Sequence, residues 1–553
     1  MNRLVRLAIL TLTISSIASG MASATTYYIA ANGSDSNSGT SNTSPWLHAP
    51  GMTNCSGTCS SVSPQAGDQF IFRGGDTWHF GAGSPLIGGG WNWQWSGSNG
   101  SAIYIGVDKT WYSGSSWARP VMTGDNPTST SFVSGCTHDY SNASQLVNLN
   151  ASWITFDNFE MTGICWSSQV SDNGMLAQPG GSATNSIVSN FYCHGWTMTS
   201  GASDNFPCIL TLGGGAANDY NQYVGDIFDG SDAPHFAANS SSCQWSGNSS
   251  SGCASGQGIY GRAWDVHQCI FRYLSNFMVT VNTHTVHDNV LEYLYPTFAS
   301  GSIQQHPNVL NNIAGETGDP LYFYNNIMRN TYSTEDIYFA VRTSIYFFNN
   351  VMYNNMNSTV GSIPGGCIRF NSVSNSAGTQ SAYIYNNTMG DATCQLKFEV
   401  ANSPLTPWNG TGYFQNNHFI GFSSLGGVHV CATGGTCNII DNGSEVFQTT
   451  SVASGQGYTA SNDYAPTAAT NATVGAGANL SSSCSTSSVD SELCSGTSDA
   501  VSEPSGSGGK IASFPAIAMV PRPASGAWSA GAYEFSGSQA SPNPPTGLQA
   551  SVQ

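Results

Sequence analysis

Stretches in which apolar and polar residues alternate recur along most of the chain, and many of them end in two asparagines. YFYNNIMR at 322–329, YFFNNVMY at 346–353 and YIYNNTMG at 383–390 share one layout: an alternating run, the Asn-Asn pair and a short apolar run. Alternation with a period of two residues predicts β-strands. The asparagine pair is therefore expected at the corner between two strands.

Nine such segments can be aligned, and their spacing predicts a structural repeat. They start at residues 154, 186, 223, 265, 285, 322, 346, 383 and 413, so that successive spacings run from 20 to 42 residues. Repeats of this length are typical of solenoids. The shortest spacings fit one coil of a β-solenoid, and the longer ones leave room for loops.

The aligned corners form one column of side chains. We place this column at Asn158, Asn190, Ile227, Cys269, Asn289, Asn326, Asn350, Asn387 and Asn417. In a parallel β-helix, stacked asparagines can bond to one another along the axis and also satisfy backbone groups at the turn. The pattern predicts an all-β fold, a right-handed parallel β-helix with an Asn ladder, in which Cys269 is buried. Asparagine-rich turns of a β-sandwich or propeller are the alternative.

A second set of strands predicts which side chains face outward. In IYFAV, CIRFN and QLKFEV the apolar residues alternate with Tyr338, Arg369 and Lys397. Strands of neighbouring coils lie ~4.8 Å apart, so stacking would join these three side chains in one outward column, here called the basic stripe. Three further candidates would border the stripe: Asp336, Glu399 and His306.

The basic stripe suggests β-elimination from a uronate. One cation, Arg369, would neutralise the carboxylate and make the C5 proton acidic, and Lys397 would remove that proton as the base. His306 or Tyr338 would act as the acid or contact the substrate. The alternative is a surface ion-pair network with Asp336 and Glu399.

Three other stretches resemble secreted bacterial proteins of the right-handed parallel β-helix, pectate-lyase-like superfamily. TYYIAANGSDSNSGTSNTSPW resembles their opening strand and turn, GDQFIFRGGDTW their first coil, and GAYEF at 531–535 their closing strand. The resemblance covers about residues 26–536. It implies the fold but no single activity, because this fold is shared by lyases, hydrolases, epimerases, adhesins and phage proteins. Lyases of this fold commonly use basic residues, often with Ca²⁺.

Both ends of the chain differ from the repeats. Arg3 and Arg6 precede a short apolar run and Ala22-Ser23-Ala24 fits a cleavage site, so residues 1–24 are expected to be a secretory signal peptide. The β-helix domain would occupy residues 25–536. Residues 537–553 read as a linker followed by a stretch that resembles the first strand of a fibronectin type III domain. We expect a secreted, extracellular or periplasmic monomer without a membrane span.

Charge and cysteines limit the partners and the compartment. The net charge is −18, which argues against nucleic acid as a partner and leaves a polysaccharide as the expected one. An anionic polymer would be repelled unless local cations or Ca²⁺ offset the charge. The 15 cysteines suggest disulfides in an exported protein. Proximity pairs them as Cys55–Cys59, Cys136–Cys165, Cys193–Cys208, Cys243–Cys253, Cys367–Cys394, Cys431–Cys437 and Cys484–Cys494, with Cys269 left unpaired.

A further column of the repeat suggests a platform for sugar rings. We assign it to Phe156, Val188, Gly225, His267, His287, Tyr324, Phe348, Tyr385 and Gln415. Aromatic and histidine rings facing outward can stack on sugars; the alternative is that loops pack over them. His284, His287 and His306 are also candidates for metal ligands, and we prefer substrate contact or a structural role.

Two other functions stay open. A glycoside hydrolase would use two carboxylates. Candidates for such a pair are Glu335, Asp336, Asp288, Glu292, Asp226 and Asp229. The second alternative function is a non-catalytic glycan-binding or adhesion protein.

A Ca²⁺ site could be formed by acidic residues in turns, the candidates being Asp226, Asp229, Asp232 and Asp288.

Overall fold

The structure, a computed structural model, covers most of the predicted β-helix. It describes residues 24–80, 90–128, 132–133, 135–140, 145–167, 174–178, 183–198, 207–211, 220–232, 235–236, 256–281, 283–294, 298–299, 302–303, 308–312, 320–333, 336–340, 344–357, 367–372, 380–390, 394–400, 408, 410–431, 437–485, 490–497 and 520–535. Several predictions lie outside the described residues: the signal peptide, the 537–553 tail, His306, Glu335, the Cys243–Cys253 pair and the side chain of Glu399.

Three long parallel sheets run along the described part of the chain, and each coil visits them in the same order. Sheet 1 contains Thr26–Ile29, Gln69–Gly74, Ile103–Tyr112, Ile154–Asp157, Ile187–Ser189, Gln222–Val224, Asp265–His267, Thr285–His287, Leu321–Tyr324, Ser344–Phe348, Ser381–Tyr385, Thr411–Gln415 and Asn438–Asp441. Sheet 2 contains Thr77–His79, Val121–Thr123, Glu160–Thr162, Tyr192–His194, Ile227–Asp229, Ile270–Leu274, Val290–Leu294, Ile327–Ser333, Val351–Asn357, Thr388–Met389, His418–Ile420 and Val446–Gln448. Sheet 3 contains Trp91–Trp93, Gln145–Leu149, Gly174–Ala177, Pro207–Thr211, Gln257–Arg262, Asn276–Val281, Leu310–Asn312, Ile337–Ala340, Ile368–Ser372, Leu396–Val400 and His429–Cys431.

The remaining elements are short. Ile164–Trp166 pairs with Trp196–Met198, Phe132–Val133 with His235–Phe236, and Phe298–Ala299 with Ser302–Ile303. The α-helices are Gly57–Ser61, Leu425–Val428 and Thr450–Gly455, and the 3₁₀ turns are Ala460–Asn462, Ser481–Ser485 and Asp490–Cys494. Among the described residues, no helix has the 18-residue apolar length used to cross a membrane.

Each sheet turns alternate apolar side chains into the bore. On sheet 1 the inward column is fully buried: Phe156, Val188, Tyr223, Val266, Val286, Phe323, Phe347, Ile384 and Phe414. Burying a large apolar side chain stabilises a fold by about 1.5–3 kcal/mol, and the inward side chains of successive coils together form the core of the solenoid. The predicted all-β parallel β-helix is confirmed.

The two asparagines of each pair have different roles at the corner between sheets 1 and 2. The first residue of each pair adopts a left-handed backbone, with φ of 54° at Asn325 and 55° at Asn349. Asparagine tolerates that region better than most residues. The second residue, such as Asn326 or Asn350, is buried and bonds to the next coil, with Asn326 Nδ2 donating to Asn350 Oδ1 over 3.2 Å. The Asn ladder is therefore present.

The aligned column was wrong by one residue in the first three coils. Asn158 and Asn190 are left-handed corner residues, with φ of 62° and 51°, and Ile227 already belongs to a strand of sheet 2. The residues in ladder register there are Phe159, Phe191 and Asp226. In these coils the residue at the ladder position is apolar or acidic. The asparagines that do occur there are the left-handed corner residues and not members of the ladder.

The disulfide predictions agree with the structure wherever it describes them. The bonds are Cys55–Cys59, Cys136–Cys165, Cys193–Cys208, Cys367–Cys394, Cys431–Cys437 and Cys484–Cys494. Cys269 is buried in the ladder column and is free, as expected. Six disulfides fit a protein that matures in an oxidising compartment.

The opening and first-coil stretches form strands, but the expected closing strand does not. Residues 531–535 are irregular, and Ala532 and Tyr533 pack against Ile327, Val351 and Tyr353 on the outside of sheet 2. The C-terminal segment thus covers the solenoid sideways instead of adding another coil.

Candidate functional site

The basic stripe forms on the outer face of sheet 3. Tyr338 pairs in register with Arg369, and Arg369 with Lys397. Ile368 and Leu396, the neighbours of the two cations, are fully buried in the bore, which confirms the predicted alternation. The Arg369 guanidinium carbon lies 5.8 Å from the centre of the Tyr338 ring. The two cations stand on consecutive coils. Strands of adjacent coils lie ~4.8 Å apart, so the two side chains are direct neighbours.

The stripe is only partly open to solvent. Tyr338 and Arg369 are half-buried, whereas Lys397 is 9% exposed. Partial burial strengthens the field of both cations on any anion that binds there, since water screens them less. The next residue of the column after Lys397 is Val430, which is exposed. The stripe therefore presents two positive charges between a tyrosine and an apolar side chain.

Asp336 is close to the stripe in sequence but lies deeper. Its side chain is 1% exposed, and its carboxylate lies within 4.8 Å of the sulfurs of Cys367 and Cys394. These two cysteines are joined in a disulfide, so this group is not a metal site. The Asp336 backbone N–H donates to Cys367 O over 2.7 Å. Asp336 thus anchors the start of the strand that carries Tyr338.

The expected sugar platform on sheet 1 needs two corrections. Phe156 and Val188 face the bore and Gly225 is a corner residue, so the outward column begins instead with Asp157, Ser189 and Val224. His267, His287, Tyr324, Phe348, Tyr385 and Gln415 do share this outward column. The error is again a one-residue slip in the early coils.

The rings of this column are stacked on one another. Centroids are 4.7 Å apart for His267–His287, 4.7 Å for His287–Tyr324 and 4.9 Å for Tyr324–Phe348, with planes within 5° of parallel. Ring faces that stack on each other cannot also stack on a sugar, so only ring edges point outward. Tyr324 and Phe348 are each 4% exposed, since Leu493 and Trp528 of the C-terminal segment pack over them. These two rings are not accessible to a glycan.

A second aromatic column runs beside the first on sheet 1. The stacked tyrosines are Tyr322, Tyr346, Tyr383 and Tyr413, with centroids 4.6–5.1 Å apart. All four are half-buried. Their ring faces are also occupied by their neighbours, so this column offers hydroxyl groups rather than flat rings.

The outer face of sheet 2 carries an alternating column of charge. Asp229, Arg272, Glu292 and Arg329 occupy successive coils in register. Arg272 donates to Asp229 over 2.8 Å, and Arg329 donates to Glu292 over 3.0 Å and to Asp463 over 3.2 Å. All five side chains are buried. This charge ladder is a structural network that ties the C-terminal segment to the coils.

The candidate carboxylates for hydrolysis and for Ca²⁺ are held in protein contacts. Asp229 and Glu292 belong to the charge ladder, and Asp226 is fully buried and accepts the Phe191 N–H over 2.9 Å. Burial raises the pKa of Asp226 well above its usual value. Asp288 contacts His287 over 2.7 Å.

His194 is a further buried histidine on sheet 2. Its Nδ1 lies 2.8 Å from Asp232 Oδ2 and its Nε2 lies 2.9 Å from Glu160 Oε1. The ring stacks on Tyr192 at 4.3 Å. Burial lowers the pKa of His194, but the hydrogen bonds and charges of the two carboxylates outweigh burial and raise it to about 9. The imidazole is therefore held as a cation between two anions.

The comparisons with known proteins are distant. No family model matches the chain, and no curated protein matches it significantly. Among solved structures, pectate lyase Pel9A is 12% identical, with 94% of this chain and 98% of that chain covered and a TM-score of 0.39. A rhamnogalacturonan lyase is 11% identical over 76% of this chain and 87% of that one, with a TM-score of 0.37. A GH136 lacto-N-biosidase from Eubacterium ramulus is 11% identical over 77% and 68%, with a TM-score of 0.35. At these values the likenesses say nothing about activity.

The sequence patterns singled out the stripe but missed the charge ladder and His194. Arg272, Glu292 and Arg329 all stand in the same place, two residues after the start of a sheet 2 strand. Extending the alignment by two more columns would have placed one charge of alternating sign on each of these coils. The contacts of His194 depend on Asp232, which follows its strand at an irregular distance, and no sequence period signals that contact.

Proposed function

We propose that the protein is a polysaccharide lyase that cleaves a uronate-containing glycan by β-elimination at the basic stripe. The observation that carries this proposal is the register of Arg369 with Lys397 on consecutive coils of sheet 3. Like charges directly opposite each other on neighbouring strands destabilise a sheet. An anionic ligand bound between them would relieve that repulsion.

The contrast with sheet 2 supports a ligand-binding role for these cations. There, each arginine of the charge ladder alternates with a carboxylate, so the column balances its own charge. On sheet 3 the two cations follow each other and are bounded by Tyr338 and Val430 along the column. A uronate carboxylate is complementary in charge to these two neighbouring cations.

The reaction assigns one task to each side chain of the stripe. Arg369, held over the Tyr338 ring, binds the uronate carboxylate and stabilises the negative charge that develops on it. The Lys397 amine takes the proton from C5, the C4–O4 bond breaks, and a C4–C5 double bond forms. The departing O4 takes a proton from the Tyr338 phenol or from water. Asp336 acts as a positioning residue through the strand start that it anchors.

The requirement of the proposed reaction for Ca²⁺ is to be tested by experiment. Asp226, Asp229, Asp232 and Asp288 all contact protein groups, so none offers an open carboxylate cluster. Where Ca²⁺ contributes, it would therefore reach the site together with the substrate carboxylates.

The test is the ultraviolet absorbance of the unsaturated uronate formed from pectate, alginate and related uronans, with Ca²⁺ or with a chelator. Loss of a general base costs about 10²–10⁴-fold in rate, so Lys397→Ala should reduce the rate by that factor. Lys109→Ala is the matched control, because Lys109 is exposed on a distant coil of sheet 1.

Four results would count against the proposal. Absence of unsaturated product across the uronan panel would exclude these substrates, and full activity in Lys397→Ala would exclude the assigned base. New reducing ends without unsaturated product would indicate a hydrolase. Binding without any cleavage would indicate an adhesion protein.

A further inference from the structure

Three side chains on the outer face of sheet 1 direct one ligand atom each toward a common point. Asp265 and His267 lie on one strand, and His287 occupies the position in register with His267 on the next coil. Asp265 Oδ2 lies 3.1 Å from His267 Nδ1, and Asp265 Oδ1 lies 3.3 Å from His287 Nε2. The three ligand atoms all lie within 4.8 Å of one another.

The surrounding contacts orient the ligand atoms. His287 Nδ1 lies 2.7 Å from Asp288 Oδ2, and this contact turns Nε2 toward Asp265. A carboxylate that orients a ligating histidine in this way is typical of zinc sites. Thr285 Oγ1 donates to Asp265 Oδ1 over 2.6 Å and fixes that carboxylate.

His267 provides a second, independent observation. Its Nδ1 is buried, and no aligned hydrogen bond satisfies it although Asp265 lies 3.1 Å away. A buried imidazole nitrogen that is close to a carboxylate but not aligned with it calls for another partner. A metal ion between the two groups would satisfy both.

The distances match a tetrahedral site. Zinc bonds to nitrogen and carboxylate oxygen are ~2.0–2.1 Å long, which places neighbouring ligand atoms of a tetrahedron ~3.3 Å apart. The nitrogen–oxygen separations are close to this length, at 3.1 Å from His267 Nδ1 to Oδ2 and 3.3 Å from His287 Nε2 to Oδ1 of Asp265, so either oxygen could serve as the third ligand after a small rotation of the carboxylate. The two rings are parallel at 4.7 Å, so binding would draw their nitrogens together by a small rotation of each ring.

We propose that Asp265, His267 and His287 bind a divalent transition-metal ion of the zinc class. Two imidazoles and one carboxylate favour zinc, copper or nickel over Ca²⁺, which takes oxygen ligands. The His267 and His287 side chains are 20% and 18% exposed, so a fourth position is open to water or a ligand. The site lies on sheet 1, apart from the basic stripe on sheet 3, and does not depend on the lyase activity.

The experiment uses Co²⁺ as a spectroscopic probe of the full-length protein after removal of metal by a chelator. Wild-type protein should bind one Co²⁺ with the intense visible absorption of a tetrahedral ion, and Zn²⁺ should displace it. A thiolate charge-transfer band should not appear, because the one free cysteine of the described residues, Cys269, is buried in the ladder. X-ray absorption of the Zn²⁺-loaded protein should show two imidazoles in the coordination sphere.

Variants assign the ligands. His267→Gln and His287→Gln should abolish the visible band, while Asp288→Asn, which removes only the orienting carboxylate, should weaken Co²⁺ binding by about 10–100-fold. His284→Gln is the matched control, because His284 is stacked on Trp264 outside the ligand set, and it should bind Co²⁺ like the wild type.

Several outcomes would overturn the site. Wild-type protein that shows no tetrahedral Co²⁺ spectrum contradicts it directly, whatever the variants do. Binding that survives in both His267→Gln and His287→Gln, or that carries a thiolate band, would place the metal elsewhere. Circular dichroism of each variant separates loss of binding from loss of the fold.

Discussion

Removing one asparagine of the Asn ladder should destabilise the solenoid by a measurable amount. The Asn350 side chain is fully buried and makes four hydrogen bonds. Its Oδ1 accepts from the backbone N–H and the Nδ2 of Asn326 over 3.0 and 3.2 Å. Its Nδ2 donates to Phe323 O over 3.0 Å and to Asn387 Oδ1 over 3.1 Å.

The magnitude follows from which partners keep another bond after Asn350→Ala. Asn326 Nδ2 still donates to Val286 O, and Asn387 Oδ1 still accepts the backbone N–H of residue 350. The Phe323 carbonyl lies in the parallel ladder between Leu321–Tyr324 and Ser344–Phe348 and keeps a backbone partner there, so the Asn326 N–H is the group that loses its acceptor. An unsatisfied buried polar group costs about 1–3 kcal/mol, so Asn350→Ala should lose about 2 kcal/mol in the free energy of unfolding.

Urea denaturation followed by circular dichroism measures this loss. The control is Asn438→Ala, because the Asn438 side chain is exposed and makes a single bond to Thr411 Oγ1 over 2.9 Å. That variant should lose less than about 1 kcal/mol. If Asn350→Ala also unfolds within about 1 kcal/mol of the wild type, the ladder does not stabilise the corners in the way argued here.

Two further predictions concern buried charges on sheet 2. The pKa of His194 in the fold is about 9, above the usual ~6.5, so its stabilising contribution of ~3 kcal/mol should be complete below pH ~6.5 and disappear as the pH rises through 9. Unfolding free energies measured between pH 6 and 10 should therefore fall less steeply in His194→Gln than in the wild type, and parallel curves would refute the assignment. Arg329→Met leaves two buried carboxylates without their cation and should destabilise the fold by about 3–5 kcal/mol in urea. An unchanged urea midpoint for this variant would mean that the charge ladder contributes nothing net.

The fold was predictable because the β-helix repeats its physical constraints on every coil. Alternation identified the strands, and the same alternation in IRFN and LKFE separated the buried residues from Arg369 and Lys397. The ladder column slipped where the repeat changes chemistry. In the coils of Asn158 and Asn190 the second corner residue is Phe159 or Phe191, so the asparagine of the corner was mistaken for the asparagine of the ladder.

The rest of the site depends on contacts that no local period encodes. Tyr324 and Phe348 were correctly placed on an outward face, but Leu493 and Trp528 cover them from far along the chain. Predicting the contact between Asp265 and His287 requires the exact register of two neighbouring coils. A one-residue error in that register would have turned one of the two side chains to the opposite face of the sheet.

The three outer faces show how one fold can separate structural from chemical roles. Each inward column must be apolar, so the charged groups of the sheets are confined to outward columns, where stacking brings the same position of successive coils together. On sheet 2 the stacked charges alternate in sign and are buried, so each arginine is paired with a carboxylate of the same column. On sheet 1 the stacked rings occupy each other's faces, and Asp265 adds an oxygen beside two imidazole nitrogens. On sheet 3, Arg369 and Lys397 repeat the same sign on consecutive coils. A column that alternates in sign is explained by stability, so the pair of like charges on sheet 3 is the place to test the proposed binding of an anionic substrate.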